Sequence, residues 1–286
     1  MEIKKIGVLG AGTMGNGIAQ VCAQAGFEVV MRDIADEFVQ RGLKNIEAFL
    51  SKGVEKGKIT EEEKKATLGR IKGTTDMAEL KDVDFVIEAV IEDIDLKKGV
   101  FKELDELTRS EVILATNTSS LSITEIATAT KRPDKVVGMH FFNPVPLMRL
   151  VEVIKGLETS DDTVKVTWEL AEKLGKTPVL VKKDTPGFIV NRIMMPQLME
   201  AIRIYEEGIA SMEDIDKAVK LGLNYPMGPF ELMDLTGLDI AYFVNEYFRR
   251  ELPQELKHVT PHALKARVKA NKLGRKTGEG WYKYGK

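Results

Sequence analysis

The run Gly10-Ala11-Gly12-Thr13-Met14-Gly15 stands where an apolar strand pattern, IKKIGVLG, gives way to an amphipathic one, GIAQVCAQAG. No other stretch limits the fold as tightly. A G-x-G-x-x-G motif between a strand and a helix, followed about 20 residues on by an acid closing a second strand, marks a dinucleotide-binding βαβ unit. The acid here is Asp33, at the end of EVVMRD. The three glycines do different things. Gly10 permits the tight turn, Gly12 lets a pyrophosphate approach the backbone, and Gly15 lets the helix pack on the strand. The backbone of Thr13 and Met14 lies at the positive end of the helix dipole, which favours an anion. Asp33 would accept hydrogen bonds from the adenine ribose and repel a 2′-phosphate, which predicts NAD in preference to NADP. Arg32 beside it pulls the other way. The competing reading is a glycine-rich turn with no ligand, and the strand–turn–helix context argues against it.

The alternation continues beyond this unit. EVVMRD, DFVIEAV, VILATN and KVVGMHFF are rich in Val and Ile and end in polar or glycine-rich turns, with amphipathic stretches such as KKGVFKELDEL between them. This predicts an α/β domain with a mainly parallel, doubly wound sheet, its right-handed crossovers placing helices on both faces. Residues 34–70 are too many for one crossover helix. Thr60-Glu61-Glu62-Glu63 has the form of a capping box, so a second helix is expected to start there. The resulting helical hairpin, inserted between strands, would carry Arg41, Lys44, Lys52, Lys56, Lys58, Lys64 and Lys65. Because Glu47, Glu55 and the glutamates at 61–63 interleave with these, charge alone reads as a solvated face.

After KTPVLVKKD the character changes to helical. Thr185-Pro186-Gly187 predicts a helix start, with Thr185 as N-cap and Pro186 at the first position. Then come FIVNRIMMPQLMEAIRIYEEG, MEDIDKAVKLGL, GLDIAYFVNEYFRREL and HALKARVKANKLG. Two domains are expected: residues 1–184, α/β, and residues 185–286, all-helical. The second is unusually apolar (Met194, Met195, Leu198, Met199, Ile202, Phe230, Leu232, Met233, Leu235). A unit of this size buries a limited core alone, so part of that surface is expected to pack on another subunit.

Composition removes several function classes. The 42 basic and 44 acidic side chains nearly cancel, which argues against a nucleic-acid coat or an acidic tail. Cys22 is the only cysteine, so neither an intrachain disulfide nor a cysteine-cluster metal site can form. MEIKKIGVLGAG runs straight into a strand, without the layout of a secretory leader, and no apolar run nears 18 residues. A cytoplasmic enzyme with no membrane span is the expectation.

In such a sheet the ligand crevice lies at the carboxyl ends of the strands. Asn117-Thr118-Ser119-Ser120 follows the strand VILAT, and Ser122 is spaced to Glu125 as a helix cap. His140 closes the strand KVVGM, and Glu152 lies on a strand returning after the Pro144/Pro146 turn, on one face with Leu150 and Ile154. An unpaired carboxylate on an apolar face is costly, so His140 and Glu152 are expected to be partners. The carboxylate would fix the imidazole tautomer and leave the other ring nitrogen to face substrate. An imidazole suits removal of a secondary alcohol's proton as hydride leaves the carbon, and the reverse. Ser119 and Asn191 could hold substrate oxygens. Each of these residues also has a structural reading, as a satisfied strand-end histidine, turn serines and a backbone-bonded amide. His258 and His262, divided by Pro261 and without acidic or cysteine company, read as surface residues.

GAGTMGNGIAQ, VIEAVIEDIDLKK, TNTSSLSITEIA, MHFFNPVPLMRLVEVIKG, TPGFIVNRI and LGRKTGEGWYKY, in this order, closely resemble the L-3-hydroxyacyl-CoA dehydrogenases, nearest to the bacterial stand-alone 3-hydroxybutyryl-CoA type. The likeness covers essentially the whole chain. It implies a Rossmann-type NAD-binding domain and a helical domain through which two copies pair. It places a catalytic pair on His140 and Glu152, and substrate-oxygen contacts on Ser119 and Asn191. NAD contacts are implied at Gly10, Gly12, Gly15, Asp33, Glu92, Lys97, Ser119, Asn143 and Lys276, with Thr13, Met14 and Asn117 alongside. CoA contacts are implied on the inserted hairpin, where Lys56 matches a basic position and Phe49 stands where the family has a polar one. The implied reaction interconverts (S)-3-hydroxyacyl-CoA and 3-oxoacyl-CoA with NAD and no metal. The readings set against it are a dehydrogenase of small free hydroxy acids or sugar acids on the same fold, and a crystallin-like or scaffolding protein without turnover.

Overall fold

The computed structural model describes residues 2–285, and the chain divides into two units, one ending at Thr185 and the other beginning at Pro186. In the first, β1 (Lys5–Leu9) is buried at every position after Lys5, as a strand covered on both faces must be. The chain then runs through α1 (Thr13–Gln24), β2 (Glu28–Arg32), α2 (Asp36–Glu55), α3 (Glu61–Gly69), β3 (Ile71–Thr74), β4 (Phe85–Glu88), α4 (Ile94–Leu107) and β5 (Ile113–Thr116). It continues through α5 (Ile123–Ala127), β6 (Val136–Phe141), β7 (Leu150–Ile154), α6 (Asp161–Lys173) and β8 (Thr177–Val181). The strands form one sheet in the order β3-β2-β1-β4-β5-β6-β7-β8. Every neighbouring pair is parallel except β6 and β7. The order reverses between β1 and β4, which sets a topological switch point, and hence a crevice, at their carboxyl ends.

The inserted hairpin is α2 and α3, and its second helix carries the full capping box: Thr60 accepts from the Glu63 amide and Glu63 accepts from the Thr60 amide. Ser122 caps α5 by accepting from the Glu125 amide, and Asp93 caps α4 by accepting from the Leu96 amide. The core joins sheet and helices through Ile6, Val8, Ile18, Met31, Phe85, Ile87, Ala115, Val137, Met139 and Phe141.

The second unit holds α7 (Val190–Glu206), α8 (Met212–Gly222), α9 (Pro229–Thr236), α10 (Leu238–Glu251) and α11 (His262–Lys269). Its core gathers Met195, Met199, Ile202, Phe230, Met233, Leu238, Phe248 and Trp281. Buried Asp234 accepts from the amides of Trp281 and Tyr282 and from the Tyr284 hydroxyl, tying down the C-terminal segment. The expected helix start at Thr185 is corrected: α7 begins at Val190. Gly187 and Phe188 both take positive φ, 74° and 51°, which interrupts the helical path before it can form. Among the described residues no helix is long and apolar enough to cross a membrane.

Candidate active site

The glycine loop joins β1 to α1. Gly10 has φ of 96°, and a Cβ there would lie 2.4 Å from the carbonyl oxygen of Ala89. A Cβ on Gly15 would come within 1.8 Å of the Gly10 carbonyl oxygen, so helix and loop touch backbone to backbone. Gly12 differs: a Cβ there meets nothing within 4 Å. It is open space in front of a helix N-terminus that no side chain caps and whose first turn holds no acid. A dinucleotide pyrophosphate fits such a cradle. Asp33, just past β2, accepts the Ala11 amide at 2.7 Å and the Ile34 amide at 2.7 Å, so the acid is braced against the glycine loop. The Arg32 guanidinium donates to the Thr75 carbonyl at 3.2 Å, which gives the cation beside Asp33 an anchor of its own.

The antiparallel pairing of β6 and β7 puts His140 directly opposite Glu152. The His140 Nδ1 and Glu152 Oε2 lie 2.7 Å apart, both residues buried, Glu152 at 1% exposure. Residues opposite each other on one face of a sheet are close enough for such a contact, and burial makes the bond strong and its loss expensive. The Phe142 ring packs on the imidazole at 4.5 Å between centroids. Asn117, at the end of β5, uses its side-chain carbonyl to accept the Phe141 amide at 2.8 Å, so β5 fixes the end of β6 beside His140. Asn143 is exposed in the following turn, before the cis peptide to Pro144. Buried Lys176 donates to the carbonyls of Val145 and Met148 and holds that turn.

Ser119 sits in the turn after β5, and Glu92 reaches it from the turn after β4. The Glu92 Oε1 accepts from the Thr118 hydroxyl at 2.6 Å, the Ser119 amide at 2.9 Å and the Ser119 hydroxyl at 3.3 Å. Its Oε2 lies 3.5 Å from the ammonium of buried Lys97 in α4, which is itself 2.6 Å from Glu88 Oε1. Sequence reasoning missed Glu88. In DFVIEAV it reads as the polar end of a strand, and its spacing of nine from Lys97 fits no helical or strand period.

The second unit carries the remaining candidates. Asn191 falls in the first turn of α7, whereas a helix starting at Pro186 would have put it in the second. Lys276 donates to Asp239 at 2.7 Å. His258 is half-buried, and burial followed by the nearby Arg203 lowers its pKa; His262 is exposed. On the hairpin of the first unit, Lys56 is exposed at the end of α2. Among the described residues no group of three His, Cys, Asp or Glu could hold a metal ion.

Residues 5–185 match the model of the 3-hydroxyacyl-CoA dehydrogenase NAD-binding domain, and residues 187–284 match that of the same family's C-terminal domain. The chain is 51% identical, over 98% of its length and all of the relative's, to a probable 3-hydroxybutyryl-CoA dehydrogenase of Deinococcus radiodurans. It is 49% identical, over 99% of its length and all of the relative's, to the 3-hydroxybutyryl-CoA dehydrogenase of Clostridioides difficile. The crystal structure of (S)-3-hydroxybutyryl-CoA dehydrogenase from Ralstonia eutropha superposes with a TM-score of 0.95 at 47% identity, covering all of both chains.

Proposed function

The chain belongs to the 3-hydroxyacyl-CoA dehydrogenase family, and on that premise we propose that it interconverts (S)-3-hydroxybutyryl-CoA and acetoacetyl-CoA with NAD. The buried pair of His140, near the carboxyl end of β6, and Glu152, opposite it on β7, carries this reading. Bound NAD supplies the acceptor or donor of hydride at C3. In oxidation, His140 takes the hydroxyl proton at Nε2 while its Nδ1 donates to Glu152. The carboxylate keeps the ring in that tautomer and stabilises the imidazolium that forms. In reduction the imidazolium returns the proton to the oxygen on C3. Ser119 and Asn191 hydrogen-bond the substrate oxygen where negative charge gathers.

Gly10, Gly12, Thr13, Met14 and Gly15 form the pyrophosphate cradle, and Asp33 takes the adenine ribose. Glu92, Asn117, Asn143 and Lys276 complete the cofactor contacts, while Lys97, implied as a further contact, is buried and acts from behind Glu92. Lys56, exposed on the inserted hairpin, attracts the phosphates of CoA. Both named relatives are named for a CoA thioester substrate, so the free-acid reading is not carried forward.

The protein works as a cytoplasmic homodimer on this reading, joined through its helical unit, where Leu221, Leu223, Ile240 and Phe243 are exposed. A solution mass of 31.9 kDa alone, not its double, would contradict the dimer. The activity is tested by NADH oxidation with acetoacetyl-CoA, longer 3-oxoacyl-CoAs and free acetoacetate, repeated with NADPH. Turnover should be fastest with acetoacetyl-CoA and NADH. Equal turnover of free acetoacetate, or none of any CoA substrate, would overturn the proposal.

A further inference from the structure

Glu88 is the only charged residue of β4 and has no exposure to solvent. It is flanked in the sheet by Leu9 of β1 and Thr116 of β5. Its Oε1 accepts from the Val90 amide at 2.7 Å and from the Lys97 ammonium at 2.6 Å, and its Oε2 accepts from the Thr116 hydroxyl at 2.7 Å. Lys97 is equally sealed, at 1% exposure. Well-packed apolar side chains in place of a buried ion pair commonly leave a fold as stable or more so. Stability alone therefore gives no reason for two sealed charges here, and their position at the crevice end of the sheet does.

The distances are unequal in an informative way. Lys97 is 2.6 Å from Glu88 and 3.5 Å from Glu92. Glu92 spends its other oxygen on the Thr118 hydroxyl and on the amide and hydroxyl of Ser119. We propose that Glu88 is a positioning residue: it takes the short contact with the Lys97 ammonium, and so leaves the Glu92 carboxylate to hold the turn that presents Ser119. With the Glu88 charge gone, a buried ammonium is left with Glu92 as the remaining carboxylate of the trio. Attraction in that low-dielectric setting then draws Glu92 inward, at the expense of its three bonds to Thr118 and Ser119. The inference rests on reading Ser119 as a substrate contact, and it is tested without substrate.

The variant Glu88→Gln keeps the shape of the side chain. Its Oε1 can still accept from Val90 and Lys97, and its amide can donate to the Thr116 hydroxyl, so the charge is the main thing removed. Amide exchange followed residue by residue on the cofactor-free protein should speed up at Ser119 by about tenfold or more, with Ile87 inside β4 unchanged. Removing both charges together in Glu88→Gln/Lys97→Met should return the Ser119 amide to within about threefold of the wild-type rate. A folded Glu88→Gln protein with wild-type exchange at Ser119 overturns the proposal, as does a double variant that exchanges as fast as the single one. If the single variant does not fold, the double one decides: protection at Ser119 supports the proposal and its loss refutes it. With acetoacetyl-CoA, kcat of Glu88→Gln should fall by about tenfold. Should the wild type turn over no CoA substrate, the exchange experiment still judges Glu88 independently.

Discussion

Replacing Glu152 by Gln changes one charge at a site where little else can respond. The carboxylate is 1% exposed and 2.7 Å from the His140 Nδ1, so water cannot take its place. Two unit charges whose centres are about 4 Å apart attract by about 4 kcal/mol at an effective dielectric of about 20. The amide of Gln restores about 1 kcal/mol as a neutral hydrogen bond. The imidazolium formed when His140 carries the substrate proton therefore loses about 2–3 kcal/mol, which is about 30- to 150-fold in kcat. A Gln amide that donates to Nδ1 would impose the wrong tautomer and deepen the loss. Steady-state NAD reduction with (S)-3-hydroxybutyryl-CoA, the direction in which the imidazolium forms, gives kcat, nicotinamide fluorescence gives NADH affinity, and a thermal melt shows that the variant is folded. A folded Glu152→Gln enzyme that binds NADH and keeps kcat within about threefold of wild type would refute the reasoning, since the carboxylate would then not support a charged ring.

Other perturbations separate fold from site. Gly10→Ala should lower Tm by several degrees, because φ of 96° and a Cβ 2.4 Å from the Ala89 carbonyl together cost about 2 kcal/mol or more. Gly12→Ala should leave Tm in place while weakening NADH binding by about tenfold or more, since its methyl fills only the pyrophosphate cradle; matching effects of the two would contradict this. Lys56→Glu should raise KM for acetoacetyl-CoA severalfold with kcat and NADH affinity unchanged, and an unchanged KM would remove Lys56 from CoA recognition. Asp84 has a carboxyl that burial pushes up, yet the amides of Lys4 and Lys5 and the Arg109 guanidinium outweigh this and hold its pKa below the ordinary value. Its contribution is thus present above the unfolded value of about 3.9 and lost as pH falls through the folded one. Asp84→Asn should be about 1 kcal/mol less stable than wild type at pH 7 in denaturant melts, with the gap closing in acid; a pH-independent gap would contradict the linkage.

Most of the architecture was legible because its signals are local. Strand runs such as VILAT, the glycine loop and the Thr60 capping box each act within a few residues, and the β6–β7 return strand announced itself through a lone carboxylate among aliphatics. The short strand β3 escaped notice because IKGT has a single large apolar side chain and none of its positions is fully buried. The start of α7 was misjudged because Thr-Pro-Gly also suits a turn, and positive φ at Phe188 is fixed by its surroundings, not by its own preference. At the site, His140 and Glu152 could be paired on paper since one hairpin joins them. Glu88, Lys97 and Glu92 could not, since their convergence depends on α4 bringing Lys97 to the end of β4 and the turn after it. The Lys176 clamp on the Val145 and Met148 carbonyls was equally invisible, linking positions 31 and 28 residues apart.

Hydride transfer in a single turnover of His140→Gln gives the most direct trial of the proposed chemistry. Enzyme preloaded with NADH is mixed with acetoacetyl-CoA, and the loss of nicotinamide absorbance is followed. The variant should bind as much NADH as the wild type and then transfer hydride slower by about 10²–10⁴-fold, the usual contribution of a general acid. Transfer at the wild-type rate from a fully loaded variant would contradict it.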